Sequence, residues 1–194
     1  LAQGRLAFKT IQSSEGWQKS LTRNDELGEK DVTALRGSVN FDLSDTARLM
    51  LIGHYVKDKS ENKANTAYDG TPFGLGPFTN PFTPLDEFLL PTGSNFGETP
   101  PFFSTGDNRA ADWTNSFTSP ITGETFNIRP RRNNELAGFS ARLDWDIGTI
   151  TLTSVTGYNE FERVEANDWD GGAFNDSSNI NATDLEVFSQ ELRL

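Results

Sequence analysis

Six stretches of the chain alternate apolar and polar residues with a period of two, the mark of a strand whose faces meet different surroundings. Over residues 4–12, Leu6 and Phe8 stand on one register against Arg5, Ala7 and Lys9. Over 32–42, Leu35, Gly37, Val39 and Phe41 alternate with Arg36, Ser38, Asn40 and Asp42. Over 47–58, Leu49, Leu51, Gly53 and Tyr55 share one side, and the other side is mixed: Arg48, Met50, Ile52, His54 and Val56. Over 135–145, Phe139, Ala141, Leu143 and Trp145 oppose Ser140, Arg142 and Asp144. The last two stretches are 149–163 and 185–194, the latter with Phe188, Leu192 and Leu194 against Ser189, Glu191 and Arg193. No helical period is sustained anywhere, so the pattern predicts an all-β chain.

The connections carry more information than the strands. Leu43-Ser44-Asp45-Thr46 and Asp146-Ile147-Gly148 are tight turns rich in turn-forming residues. The other three connections, 13–31, 60–134 and 164–184, are long, and long and short alternate strictly. That predicts an antiparallel meander with every long loop at one end. A soluble sandwich has no reason for this arrangement, whereas an outer-membrane barrel places short turns on the periplasmic side and long loops outside. Strands of about ten residues also suit a tilted crossing of the hydrocarbon. Alternation alone leaves two readings open: apolar side chains against lipid with a wet polar lumen, or apolar side chains against a protein core. Phe41 and Trp145 stand beside the short turns, and Tyr55 and Tyr158 toward the long loops. Rings at both ends of an apolar band fit two interfacial girdles, although strand-end rings also cap ordinary sandwich cores.

Composition narrows the classes. The net charge of −11, from 17 basic and 28 acidic residues, argues against a nucleic-acid partner. Cysteine is absent, which removes disulfides and thiolate metal sites. No apolar run is long enough for a transmembrane helix, and no basic segment leads into an apolar leader. The opening Leu1-Ala2-Gln3-Gly4 lacks Met and the chain stops at Leu194 inside a strand pattern, so both ends read as cut. Aromatic residues make up 11% of the chain, more than a disordered acidic chain would carry.

Asp31-Val32-Thr33-Ala34-Leu35-Arg36-Gly37-Ser38-Val39-Asn40-Phe41 followed by Ser44-Asp45-Thr46 resembles a strand–turn element of TonB-dependent outer-membrane receptors. Leu152-Thr153-Ser154-Val155-Thr156-Gly157-Tyr158 and Phe188-Ser189-Gln190-Glu191-Leu192-Arg193-Leu194 resemble barrel segments of the same family. The resemblance covers the strands, about a third of the chain. It implies six transmembrane strands of a 22-stranded barrel in the bacterial outer membrane, with outer-membrane lipid and lipopolysaccharide around it. It implies active uptake of a scarce nutrient, a ferric siderophore or similar chelate or a carbohydrate, energised through TonB acting on a plug domain. The plug and the closing strands are not in this sequence. A passive porin-like channel and a secreted soluble β-sandwich binding module stand as alternatives.

The 60–134 loop holds half the aromatic residues, among them Phe102, Phe103 and Trp113, and such a long loop without elements of its own is usually functional. These rings suit a flat or amphipathic ligand such as a sugar or metal chelate, or form the loop's own small core. Arg129, Arg131 and Arg132 cluster at the loop's return; they suit an anionic ligand, or pair with lipopolysaccharide phosphates or acidic loops. Asp168-Trp169-Asp170-Gly171 has the start of a calcium loop, but Asn179 stands where its closing Glu belongs. A solvated acidic loop is the simpler reading. His54 is the lone histidine, with no second ligand type near it. No nucleophile elbow, phosphate-cradling loop or His/Cys metal spacing is present, which points to a non-enzymatic protein without cofactor.

Overall fold

The computed structural model describes residues 1–66, 107–169 and 178–194. They form strands and connections with no helix. The strands are β1 (Ala2–Gln12), β2 (Gln18–Ser20), β3 (Glu26–Leu27), β4 (Asp31–Ser44), β5 (Ala47–Asp58), β6 (Ala110–Ala111), β7 (Ser116–Thr118), β8 (Thr125–Asn127), β9 (Arg131–Ile147), β10 (Ile150–Asp168) and β11 (Ser178–Arg193). Six of them build one antiparallel sheet in the order β1-β4-β5-β9-β10-β11, a meander in which sequence neighbours are spatial neighbours. The six alternating stretches of the sequence fall on these six strands, with residues 149 and 194 one position beyond the strand ends.

Two hairpins close the sheet at one end. Ser44 pairs with Ala47 across Asp45-Thr46, where the Ser44 hydroxyl accepts a hydrogen bond from the Thr46 amide at 3.2 Å. Ile147 pairs with Ile150 across Gly148-Thr149, and Gly148 takes φ 67°, the left-handed conformation a two-residue hairpin requires. The turn therefore falls at Gly148-Thr149, slightly beyond the expected Asp146-Ile147-Gly148.

At the other end β9, β10 and β11 run past the expected strand limits, reaching Arg131, Asp168 and Ser178. Apolar alternation fades there while backbone pairing continues, because ladder hydrogen bonds need no hydrophobic period. Polar cross-strand contacts take over, such as Asn134 Nδ2 donating to Glu165 Oε1 at 2.9 Å.

Five short strands fall inside stretches expected as plain loops. β3-β2-β6 form a small sheet in which β2 and β6 run parallel, Lys19 opposite Ala110. β7 and β8 form a hairpin. Its Ser119–Glu124 turn uses Gly123 at φ 72°, and the Ser119 hydroxyl accepts the Ile121 and Thr122 amides. The buried apolar cluster belongs to this loop assembly: Leu27, Ala64, Ala111 and Trp113. The large sheet has none. Among the described residues it is a single layer, and no strand of the small sheets packs on it.

Candidate functional site

The register fixes which side chains share a face of the large sheet. Leu6, Gly37, Gly53, Phe139, Tyr158 and Phe188 lie in one row, each directly opposite the next. Rows parallel to it on the same face carry Leu35, Val39, Phe41, Leu49, Leu51, Ala141, Leu143 and Trp145. These side chains are not covered by protein: Leu6 is 74% exposed, Phe139 46%, Trp145 45% and Phe188 68%. Phe41, Tyr55, Trp145 and Tyr158 all stand on this face, the first and third toward the hairpin turns and the two tyrosines toward the loops.

Both ends of the apolar band are marked. On β9 it runs from Ala137 to Ile147, about 33 Å along a strand rising roughly 3.3 Å per residue. Above it the same face turns acidic. Glu160 stands opposite Glu186, and Glu162 opposite both Asp184 and Glu135. Like charges directly opposite are unfavourable and are tolerable only where water or counter-ions reach them. Beside them Lys57 bonds Glu135 at 2.8 Å, and the Tyr55 hydroxyl donates to the same carboxylate at 2.8 Å.

One polar group interrupts the band. Ser154, Thr156 and Gln190 share the apolar face on β10 and β11. They satisfy one another: Thr156 Oγ1 donates to Gln190 Oε1 at 2.6 Å, and Gln190 Nε2 donates to Ser154 Oγ at 3.0 Å. Mutual pairing lowers the cost of placing such groups in an apolar medium.

The opposite face is polar with an apolar streak. Arg142 makes two bonds to Asp144, at 2.8 and 3.1 Å, and Thr153 Oγ1 donates to the same carboxylate at 2.7 Å. Toward the loops, Ala34, Val56, Leu136, Phe161 and Leu185 form a row on this face. His54 and Asn159 flank Gly138, and both crowd its bare Cα: a Cβ there would stand 2.3 Å from Asn159 Oδ1 and 2.3 Å from His54 Cε1. A side chain at Gly138 would require the His54 and Asn159 side chains to move aside.

The loop assembly is organised around Trp113 and Arg129. Trp113 is fully buried, with the Arg23 and Arg129 guanidinium carbons 5.4 and 5.9 Å from its ring centroid. Arg23 also donates to the Trp113 carbonyl. Arg129 ties three segments together. Its Nε donates to Glu61 at 2.6 Å, Nη1 to Asp25 at 2.8 Å and Asn115 at 3.1 Å, and Nη2 to the Glu26 carbonyl at 2.6 Å. Gln18 clamps the backbone of Ala64 through both halves of its amide, at 2.9 and 2.8 Å. Asp112 accepts from Ser20 Oγ at 2.6 Å and from the Leu21 and Thr22 amides. These contacts were invisible in sequence because partners lie dozens of residues apart.

The nominated residues are thus placed differently. Trp113 is interior and Arg129 is engaged by two carboxylates. Arg132 Nε donates to Asn62 Oδ1 at 2.9 Å, and its Nη1 stands 3.4 Å from Asp58. Arg131 is half-buried and its carbonyl accepts from Asn62 Nδ2 at 3.1 Å. Asp168 is buried and accepts from the Thr114 amide at 3.1 Å. Phe102, Phe103 and Asp170 lie outside the described residues. Among the described residues no group of three or more acidic or histidine side chains is placed to hold a metal ion.

The network predicts a pH response. Burial pushes the Asp25 carboxyl upward, but the hydrogen bond and charge of Arg129, with help from Asn115 and the Glu26 backbone, outweigh it and hold Asp25 below its ordinary value. A depressed carboxyl stabilises the fold above its unfolded value, near 3.9, and that contribution fades as pH falls through the folded value. Amide exchange over 20–27, corrected for its intrinsic pH dependence, is expected to accelerate below about pH 4. Asp25→Asn should flatten the response; equal protection at pH 6 and pH 3 in the unsubstituted chain would contradict it.

Comparison with known proteins returns no match for this chain, whether among family models, curated proteins or solved structures.

Proposed function

We propose that this chain is part of the wall of a bacterial outer-membrane transport receptor. The observation that carries the reading is the bare apolar face. Many large apolar side chains lie open on one side of a single-layer sheet, where a soluble protein would expose only small apolar patches. Hydrocarbon is the medium that suits such a surface. A rim of like charges above the band and short turns below it fit a bilayer boundary at each end.

The outer strands β1 and β11 have 11 and 16 residues, and each pairs on one side only among the described residues. Unpaired backbone groups in lipid cost several kcal/mol each, so closure calls for further strands, as the 22-stranded type supplies. The polar inner face would then line the lumen, and the loop assembly built on Trp113 and Arg129 would stand at the outer mouth. The resemblance of three segments to TonB-dependent receptors supports active uptake over passive diffusion. On this reading the cargo is a scarce nutrient such as a metal chelate or a sugar, and the protein is not an enzyme.

The test is fractionation followed by uptake. The protein is expected in the outer-membrane pellet after alkaline carbonate extraction. Deleting its gene should abolish uptake of at least one ferric chelate or oligosaccharide, and collapsing the proton gradient should abolish the same uptake. Recovery as a soluble monomer would end the membrane reading. Uptake that persists without the gradient would favour a porin-like channel.

A further inference from the structure

Trp169 is 60% exposed, yet it is held from two sides. Its indole Nε1 donates to Asn179 Oδ1 at 2.8 Å, and Asn65 Nδ2 donates to its carbonyl at 2.9 Å. A lone exposed ring is ordinary on any protein surface. A ring already fixed in one orientation has given up the freedom that a ligand would otherwise have to take from it. The other exposed tryptophans are accounted for. Trp145 belongs to the apolar band, and Lys63 Nζ lies over the Trp17 ring, 4.2 Å from its centroid. Among the described residues no cation covers Trp169.

The surface beside the ring is built of amides. Asn167 stands opposite Asn179, and Glu165 opposite Asn181. These positions continue the polar face of the sheet beyond Phe161 and Leu185, since residues two apart on a strand share a face. Asn62 Nδ2 donates to Asn167 Oδ1 at 3.0 Å, and Asn179 Nδ2 to Asn181 Oδ1 at 3.4 Å. Among the described residues Asn167 Nδ2, Asn181 Nδ2 and Asn65 Oδ1 make no bond, so two donors and one acceptor stay open around the ring. The charges there are matched: Arg132 Nη1 stands 3.4 Å from Asp58, and Arg163 Nε 3.9 Å from Glu165. The result is a neutral shelf with one aromatic face and several amide arms.

We propose that this shelf binds a neutral sugar, with one pyranose ring of an oligosaccharide stacked on Trp169. The inference rests on the transport reading for the shelf's place at the outer mouth, and it narrows the cargo to a carbohydrate. The ligand class follows from the chemistry. The C–H bonds on one face of a pyranose are the positive partners that the negative face of an indole prefers. Neighbouring sugar hydroxyls donate and accept at once, and a primary amide offers both roles from one side chain. An anionic chelate or a nucleotide would need a cation with no carboxylate of its own, and the arginines of the shelf each have one. Arg129 is likewise held by Glu61 and Asp25.

The test is isothermal titration of the protein, purified in mild detergent, with maltohexaose, cellohexaose and xylohexaose. At least one is expected to bind with a Kd below about 1 mM. Trp169→Ala should weaken that binding about tenfold or more, the scale for losing an anchoring ring. The position is exposed, so the fold should tolerate the change. Trp169→Tyr keeps an aromatic face and should stay within about threefold of the unsubstituted protein. Trp17→Ala removes a ring that Lys63 already covers and should leave the Kd within about twofold. Binding of none of the three hexasaccharides would overturn the proposal, as would an unchanged Kd in Trp169→Ala, or displacement of the sugar by ferric citrate or adenosine. Outer-membrane fractionation separates this proposal from the transport reading. A protein that pellets with the outer membrane but binds no sugar overturns the proposal alone. One that binds sugar through Trp169 but is recovered as a soluble monomer overturns the membrane reading and leaves the shelf standing.

Discussion

If hydrocarbon covers the apolar face as proposed, replacing Leu51 with arginine is expected to destabilise the protein in a bilayer by about 2–4 kcal/mol, while Ser140→Arg shifts it by less than about 1 kcal/mol. The two positions sit side by side on adjacent strands. Leu51 pairs with Ala141, and Ser140 pairs with Ile52 and Gly157. They differ in which way they point. Leu51 lies near mid-height of the apolar face, where a guanidinium would have to leave water altogether. Ser140 lies on the other face, in the row of Ser38, Gly157 and Ser189, where a wet lumen would solvate the charge. Gly157 opposite it has no side chain of its own, although Ser189 Oγ stands 2.8 Å from where its Cβ would be. Urea titration in vesicles, followed by tryptophan fluorescence, reads the difference. Equal penalties, or a larger one at Ser140, would mean that hydrocarbon does not cover the Leu51 face. In an ordinary sandwich Leu51→Arg would also be costly. The discriminating arm is therefore a repeat in bilayers with shorter acyl chains: the penalty should fall as the arginine nears an interface, which a protein core would not allow.

The sequence showed most clearly what repeats locally. Period-two alternation marked the strands because each apolar residue, such as Phe139 or Leu143, sits two positions from the next. The Ser44–Ala47 hairpin was visible because turn chemistry is local too. Strand ends were not, since Glu162, Arg163 and Glu165 break the alternation while the ladder goes on. The β7–β8 hairpin had a signal that passed unread: Phe117-Thr118 and Thr125-Phe126 bracket a Pro-Ile-Thr-Gly turn. The parallel pairing of Lys19 with Ala110 had none, because nothing local specifies a partner ninety positions away. For the same reason the sequence left open whether Trp113 met a ligand or the loop's own core, and whether Arg129 met an anionic ligand, lipopolysaccharide phosphates or acidic loops. Burial and carboxylate pairing are properties of the folded neighbourhood, and only Asp25 and Glu61 together reveal what Arg129 does.

That neighbourhood carries the second large effect. Trp113→Ala is expected to cost the loop assembly about 3–5 kcal/mol, the usual range for removing a fully buried aromatic ring. The ring is at the centre of the small core, so its loss leaves a cavity against Leu27 and Ala111 and removes the surface on which Arg23 and Arg129 lie. The effect should be local. The strands of the small sheets pair with none of the six large ones among the described residues, and the assembly meets the large sheet at its loop end, where the Thr114 amide bonds Asp168 and Asn62 bonds the Arg131 and Ala166 carbonyls. Hydrogen exchange is expected to rise over 18–27 and 110–115 and to stay unchanged over 139–147 and 150–158. Arg129→Lys separates packing from charge. A lysine keeps the positive charge but cannot reach Glu61, Asp25, Asn115 and the Glu26 carbonyl at once, as the planar fork does. About 1–3 kcal/mol of local stability should be lost with the ring still in place. If either variant instead raised exchange throughout β9 and β10, the loop assembly and the sheet would be one cooperative unit. The mouth of the wall would then be a structural keystone, with no freedom to rearrange around a ligand independently of the strands beneath it.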